Sequence, residues 1–445
     1  MNYKQAWDYL DSLQFHKIKL GLDAMHSMMV KVGNPEQNLK IVHVAGTNGK
    51  GSVSMTLLTI LSEAGYRVGL YTSPHLSSVR ERFRINDRFI SEEKFAELAT
   101  RIREVLGEEK ITYFELTTAL AFLWFAEENL DLVVLETGLG GRLDATNIVT
   151  PLVSVITNVS MDHEAYLGNT ISAVAGEKAG IIKPGIPVVS AVKDNEGLAE
   201  VEAACREKDA KLLLYGHSFG TSLPTETYGL WEWYGNRNFT ETSYEKLRCS
   251  MKGDYQVENA SLALAAVELL KDKDFSVSDE QIRKGLANVQ WPGRLEYFCL
   301  NRTNREKVQC SGEKNSVAYL LDGAHNPAGV KSLVQTLSSE YTYKKMILVW
   351  GAMVDKDLQK TLPLVAKLAD NIILTKPVGE RSAEPEYLLQ NVPEHLQGKC
   401  TLNSSVETAI HEAENLAGQD DLILIAGSLY LIGESRKILL GELVE

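Results

Sequence analysis

The stretch Val42-His43-Val44-Ala45-Gly46-Thr47-Asn48-Gly49-Lys50-Gly51-Ser52 passes from an apolar strand-like run, through glycines, into a helical pattern. Glycines let a backbone curl until successive N–H groups face one anion, and the N-terminus of the following helix adds positive potential. In such loops a lysine neutralises phosphate oxygens and a hydroxyl ligates Mg²⁺, roles that fall here to Lys50 and Ser52. Two positions depart from the usual pattern. Val44 stands where the first glycine is expected, and Gly51 separates the lysine from the hydroxyl residue. The alternative is a glycine-rich turn with a solvated lysine, but the strand–loop–helix context argues for phosphate.

Working outward, short and nearly continuous apolar runs at 40–44, 67–71, 131–136, 152–157, 187–191 and 212–215 alternate with helical patterns at 51–64 and 92–106. That alternation predicts a mainly parallel sheet covered on both faces. Residues 225–251 differ, because Trp231, Trp233 and Tyr234 before Gly235-Asn236 suggest an antiparallel excursion around a turn. A second α/β series has strands at 317–321, 346–350, 371–374 and 422–425 and a helix at 404–417, and the polar stretch 301–315 reads as a loop. The fold class is therefore α/β, with a P-loop-type mainly parallel domain over 1–296 and a Rossmann-like domain over 297–445. The sequence holds no internal repeat.

The 445 residues carry 46 Lys plus Arg against 59 Asp plus Glu, a net charge of −13, which argues against nucleic-acid or anionic-membrane partners. An anionic substrate then needs a specific pocket or metal ions. Five scattered cysteines without a Cys-x-x-Cys pair argue against a disulfide framework or structural zinc, and for a reducing compartment. The N-terminus is not signal-like, and no apolar run is long enough to span a membrane, so a cytoplasmic protein, expected to be a monomer, is the reading.

The variant loop GTNGKGS at 46–52 resembles that of the folylpolyglutamate synthase and dihydrofolate synthase family, a branch of the Mur ligases. The resemblance continues, in the family's order, through YTSPH (71–75), ETGLGGRLDATN (136–147), Asp162-His163, EKAG (177–180), WPGR (291–294) and DGAHNP (322–327). It implies an ATP-dependent ligase adding L-glutamate to a folate-type carboxylate, by tetrahydrofolate polyglutamylation, by conversion of dihydropteroate to dihydrofolate, or by both. The implied cofactors are ATP and two Mg²⁺, with Mn²⁺ as an alternative. A Mur-type ligase for another acid and a non-catalytic P-loop switch are the competing readings.

Residue by residue, the resemblance assigns Gly46, Thr47, Asn48, Gly49, Lys50, Gly51 and Ser52 to the triphosphate. Glu136 ends an apolar strand at the sheet's carboxyl edge, where ligands bind. A strand-end acid at the solvent boundary is its alternative, but the glycines that follow favour a metal ligand. The family takes a histidine at His163 as a metal ligand, although Mg²⁺ prefers oxygen and a lone histidine is more often structural. The lysine matching Lys178 is carbamylated in the family, against an alternative of a helix-surface lysine. Ser73 matches a further metal ligand, against a plain turn. Asn259, Arg294, Asp322 and His325 match nucleotide contacts, where a surface amide, a linker arginine and a helix-capping aspartate are the alternatives. Phe114, Glu115, Leu116 and Thr117, with Leu143, Asp144 and Ala145, match the pterin site, although the first four also read as the start of an apolar helix. Arg82, like Arg80, is either a partner for glutamyl carboxylates or a surface arginine.

Overall fold

The computed structural model describes residues 1–13, 21–223, 229–236, 239–310 and 315–441. Its packing divides the chain into two units. The first is Met1–Pro74, Arg80–Ser250 and Gln256–Gln290, and the second is His75–Val79, Met251–Tyr255 and Trp291–Glu445.

The first unit is built on strands β1 (Ile41–Ala45), β2 (Val68–Tyr71), β3 (Phe83–Ile85), β4 (Arg88–Phe89), β5 (Leu132–Glu136), β6 (Val153–Ile156), β7 (Val188–Ser190) and β8 (Leu212–Leu214). Their order is β4-β3-β2-β5-β1-β6-β7-β8. All neighbours are parallel except β2/β3 and β3/β4, an edge hairpin that the apolar runs did not announce. β1, β5 and β6 are buried along their whole length, which is why they read as unbroken apolar runs. The helix Tyr113–Glu127 is buried on every side from Glu115 to Phe125, and it contains Phe114, Glu115, Leu116 and Thr117 in its first turns.

The aromatic excursion is a small antiparallel sheet of β9 (Phe219–Ser222), β10 (Trp231–Gly235) and β11 (Ser243–Leu247) in the order β11-β10-β9. Trp231 and Trp233 are its buried anchors, and residues 224–228 and 237–238 of this predicted excursion lie outside the described residues.

The second unit carries β12 (Glu296–Asn301), β13 (Lys307–Val308), β14 (Ser316–Asp322), β15 (Met346–Trp350), β16 (Asn371–Thr375), β17 (Cys400–Asn403) and β18 (Leu422–Ala426). Their order is β13-β12-β14-β18-β15-β16-β17, with β12 antiparallel to both neighbours and the rest parallel. This corrects the reading of 301–315 as a loop, since β12 and β13 pair as a hairpin there; positions 311–314 lie outside the described residues. The hairpin also joins Cys299 to Cys310 in a disulfide. Strand pairing brings together cysteines whose spacing in the sequence matched no framework. Among the described residues, no helix is long and apolar enough to cross a membrane.

The helix after the glycine loop, Lys50–Glu63, is crossed at close range by the helix Asp279–Asn288. A Cβ at Gly285 would lie 2.7 Å from Ile60 Cα, so the crossing leaves no room for a side chain. Gly285→Ala is expected to lower stability by about 1–3 kcal/mol. Denaturant midpoints measure this, and an unchanged midpoint would contradict the close backbone contact.

Candidate active site

β1 lies between β5 and β6, so the loops leaving all three strands share the carboxyl edge of the sheet. The loop after β1 is fastened to the one after β6. Thr47 N–H donates to Asn158 O at 2.9 Å, and Asn48 N–H donates to Asn158 Oδ1 at 3.0 Å. Thr157 Oγ1 donates to Asn48 O at 2.6 Å, and Thr47 Oγ1 donates to Ser160 O at 3.0 Å. Gly46, at φ 150°, presses so closely on Thr157 that a Cβ would sit 1.8 Å from its Oγ1. Gly49, at φ 85°, starts the helix Lys50–Glu63 without any side-chain cap. Its first N–H groups therefore remain available to an anion. Lys50 Nζ folds back to donate to Gly46 O at 3.0 Å and Thr47 O at 3.3 Å. Asn259 Oδ1 lies 2.3 Å from where a Gly49 Cβ would be, which sets this amide against the loop.

Glu136 pairs with Val44 across β5/β1 and is buried, which removes the solvent-boundary alternative. Ser73 approaches the same carboxylate, its N–H 3.4 Å from Oε2. Lys178, in the helix Ile171–Ala179, is buried rather than on the helix surface. Burial, and then the charge of Lys50, push its amine down to about 7, against the opposing pull of Asp162 and Asp144. His163 has φ 53°, and its side chain is 42% exposed with Nε2 3.9 Å from Asp162 Oδ1. Among the described residues, no three His, Cys, Asp or Glu side chains gather as a metal site. The donors near the loop, Ser52 and Glu136 with Ser73, are oxygens, which suits a hard cation such as Mg²⁺.

On the acceptor side, Glu115 forms a capping box: it accepts the Thr112 N–H at 2.7 Å, and its own N–H donates to Thr112 Oγ1 at 3.2 Å. Leu116 and Thr117 are buried, and Thr117 Oγ1 lies 2.7 Å from the Tyr71 hydroxyl. Phe114 is only half-buried, with its ring against Gly138 and 5.9 Å from that of Tyr71. Half-buried Leu143 likewise keeps apolar surface, whereas Asp144 and Ala145 are buried. Arg82 is buried with its guanidinium 5.3 Å from the Tyr113 ring centre, and buried Arg80 donates to Ile90 O at 2.7 Å. Neither is a surface arginine.

In the second unit, Asp322 ends β14 and accepts the N–H groups of Leu295 and Ala324 at 2.8 and 2.9 Å. Burial raises its carboxyl above the usual range, and Arg294 counters that. The Arg294 guanidinium runs along Gly323, 2.6 Å from where a Cβ would be, and His325 Nδ1 lies 2.8 Å from Gly323 O. Asn326, not Asp322, caps the next helix, Pro327–Glu340. Sequence reasoning passed over Thr157 and Asn158, which fasten the glycine loop. Their only signal was polar side chains directly after a buried strand.

The chain matches the Mur ligase middle domain over residues 44–267 and the Mur ligase glutamate ligase domain over residues 306–429. It is 35% identical over 443 residues to a Bacillus subtilis dihydrofolate synthase/folylpolyglutamate synthase, covering 98% of each chain. It is 31% identical to the Lacticaseibacillus casei folylpolyglutamate synthase, covering 99% of each. The solved structure of E. coli FolC in complex with DHPP and ADP superposes with a TM-score of 0.85 at 31% identity, covering 99% of this chain and 98% of that one. The chain belongs to the dihydrofolate synthase/folylpolyglutamate synthase family of Mur ligases, the ATP-dependent enzymes that join glutamate to folate-type acids.

Proposed function

We propose that this chain joins L-glutamate to the carboxylate of dihydropteroate, of a tetrahydrofolate, or of both, through an acyl phosphate. The observation that carries the reading is an uncapped helix N-terminus with Lys50 folded over its loop, beside the buried Glu136 carboxylate. A carboxylate resists nucleophiles because it is negatively charged and oxide is a poor leaving group. Attack of a carboxylate oxygen on the γ-phosphorus of ATP breaks the bond to ADP and leaves a mixed anhydride. The glutamate amine, once deprotonated, adds to the acyl carbon, and the tetrahedral adduct expels phosphate. No side chain acts as a nucleophile in this scheme. The loop N–H groups and Lys50 stabilise charge at the transferring phosphoryl group, and positioning does the rest. Phe114 and Leu143 offer a flat pterin its apolar faces. The family motifs assign Arg294, Asp322 and His325 of the second unit to the nucleotide.

Ser52, Ser73 and Glu136 would hold one Mg²⁺, and His163 with a carbamylated Lys178 would serve a second. Bound there, the ions supply positive charge against the triphosphate. For Lys178, condensation of the neutral amine with CO₂ forms an N–C bond and releases a proton, turning a cation into an anionic oxygen donor. Its burial, with the charge of Lys50 acting on it, supports this reading, because a buried cation near another positive charge is disfavoured.

Incubation with ATP, glutamate and each acceptor, followed by product mass, tests the function. The expected outcome is at least one of the two acceptors gaining a glutamyl residue, with product dependent on ATP and falling on the order of 10²-fold in Lys50→Ala. ATP turnover indifferent to glutamate and acceptor would overturn it. For the carbamate, ¹³CO₂ should give a carbamate carbon resonance that Lys178→Ala lacks. Short carboxylates should partly restore that variant but not Lys178→Arg, which stays cationic and fills the space. Full activity in Lys178→Ala would refute the carbamate and leave the ligase reading standing.

A further inference from the structure

His43 occupies the middle of β1 with no exposed surface, between Val42 and Val44 in a strand otherwise wholly apolar. Nε2 lies 2.8 Å from Thr146 Oγ1, while Nδ1 is buried without a hydrogen-bond partner. A valine or leucine would fill this place without burying a bare nitrogen, so packing alone gives no reason for an imidazole. Its one hydrogen bond leads outward. Thr146 Oγ1 donates its single hydrogen to Asp144 Oδ1 at 2.5 Å, so it must accept from His43 Nε2–H. That fixes the tautomer, and burial keeps the ring neutral by pushing it down to about 3.

Asp144 is the end of this chain and the anchor of the loop after β5. Oδ1 also accepts the Thr146 N–H at 3.1 Å, while Oδ2 accepts the N–H groups of Gly138 and Leu139 at 2.9 and 2.8 Å. With four donors on its two oxygens, the carboxylate is committed to holding the loop. Gly138 in turn lies against Phe114, where a Cβ would fall 2.5 Å from the ring's Cζ. A displacement of the 138–139 loop therefore moves the Phe114 ring.

We infer that His43, Thr146 and Asp144 form a buried relay that sets the place of the Gly138–Leu139 loop against Phe114, making His43 and Thr146 positioning residues for the folate-type acceptor. This rests on the reading of Phe114 as part of the acceptor site. The relay predicts a KM effect confined to one substrate, since the ATP loop takes its bonds from residues 157–160 instead.

The test is steady-state kinetics on the whole enzyme, using whichever of dihydropteroate or tetrahydrofolate is turned over. His43→Gln and His43→Met are similar in size, but only glutamine can donate toward Thr146. His43→Met is expected to raise the acceptor KM about ten-fold, the scale of one lost hydrogen bond to a charged network. His43→Gln should restore it, and the KM for ATP should stay unchanged in both. Thr146→Val should match His43→Met, Thr146→Ser should behave as the parent, and the double variant His43→Met/Thr146→Val should be no worse than Thr146→Val alone, because the two act in series. Equal KM values in the Gln and Met variants, or parallel rises for both substrates, would overturn the relay. Phe114→Ala separates the two claims. If it raises the acceptor KM and the relay variants do not, the relay alone fails; if it leaves that KM unchanged, the acceptor assignment fails and takes the relay's role with it.

Discussion

The fastening of residues 46–48 to residues 157–160 is the constraint from which the rest of the site follows. An anion cradle made of backbone N–H groups works only if the backbone keeps its curl when the anion is absent, since ordering it on binding would spend the affinity it provides. Here the parallel pairing of β1 with β6 delivers both segments to one edge, and Asn158 holds the loop through both its backbone and its side-chain oxygen. Pairing of the same β1 with β5 on its other side brings Glu136 level with Val44. One central strand thus sets the phosphate loop, the carboxylate and, through the loop after β5, the acceptor side.

A chain with net charge −13 that handles a triphosphate and an acidic acceptor must concentrate its positive potential locally. Lys50 and the uncapped helix end do this within one unit. Burial strengthens each interaction, because the local dielectric is low, and it makes an uncompensated charge costly. That tension accounts for the depressed amine of Lys178, with Lys50 pushing it down and Asp162 and Asp144 pulling the other way. The same tension makes a conversion from cation to anion at this position chemically reasonable.

Much of the fold was legible because buried parallel strands have few polar residues to confuse the reading. The predicted runs at 346–350 and 92–106 coincide with Met346–Trp350 and Glu92–Leu106. The antiparallel additions were not legible. β13 is an edge strand of only two residues and β12 reaches just its last residue, Asn301, into the polar stretch, so 301–315 read as a loop. The Cys299–Cys310 bond was invisible for the same reason, as only the hairpin brings those cysteines together. Within the site, glycines and strand-end acids announced themselves by type. Burial did not, and it is burial that separates Lys178, Arg80 and Arg82 from surface cations and Glu115 from a free carboxylate. The bond between His43 and Thr146 spans 103 residues, a distance no local pattern reveals.

The most direct test of the central claim, transfer through an acyl phosphate, follows oxygen. The acceptor acid is labelled with ¹⁸O in its carboxylate and turned over with ATP and glutamate, and the phosphate released is analysed by mass. If the carboxylate attacks the γ-phosphorus and phosphate later leaves the acyl carbon, each turnover carries one acceptor oxygen into the phosphate alongside ADP. Unlabelled phosphate, or AMP and pyrophosphate as the nucleotide products, would contradict it.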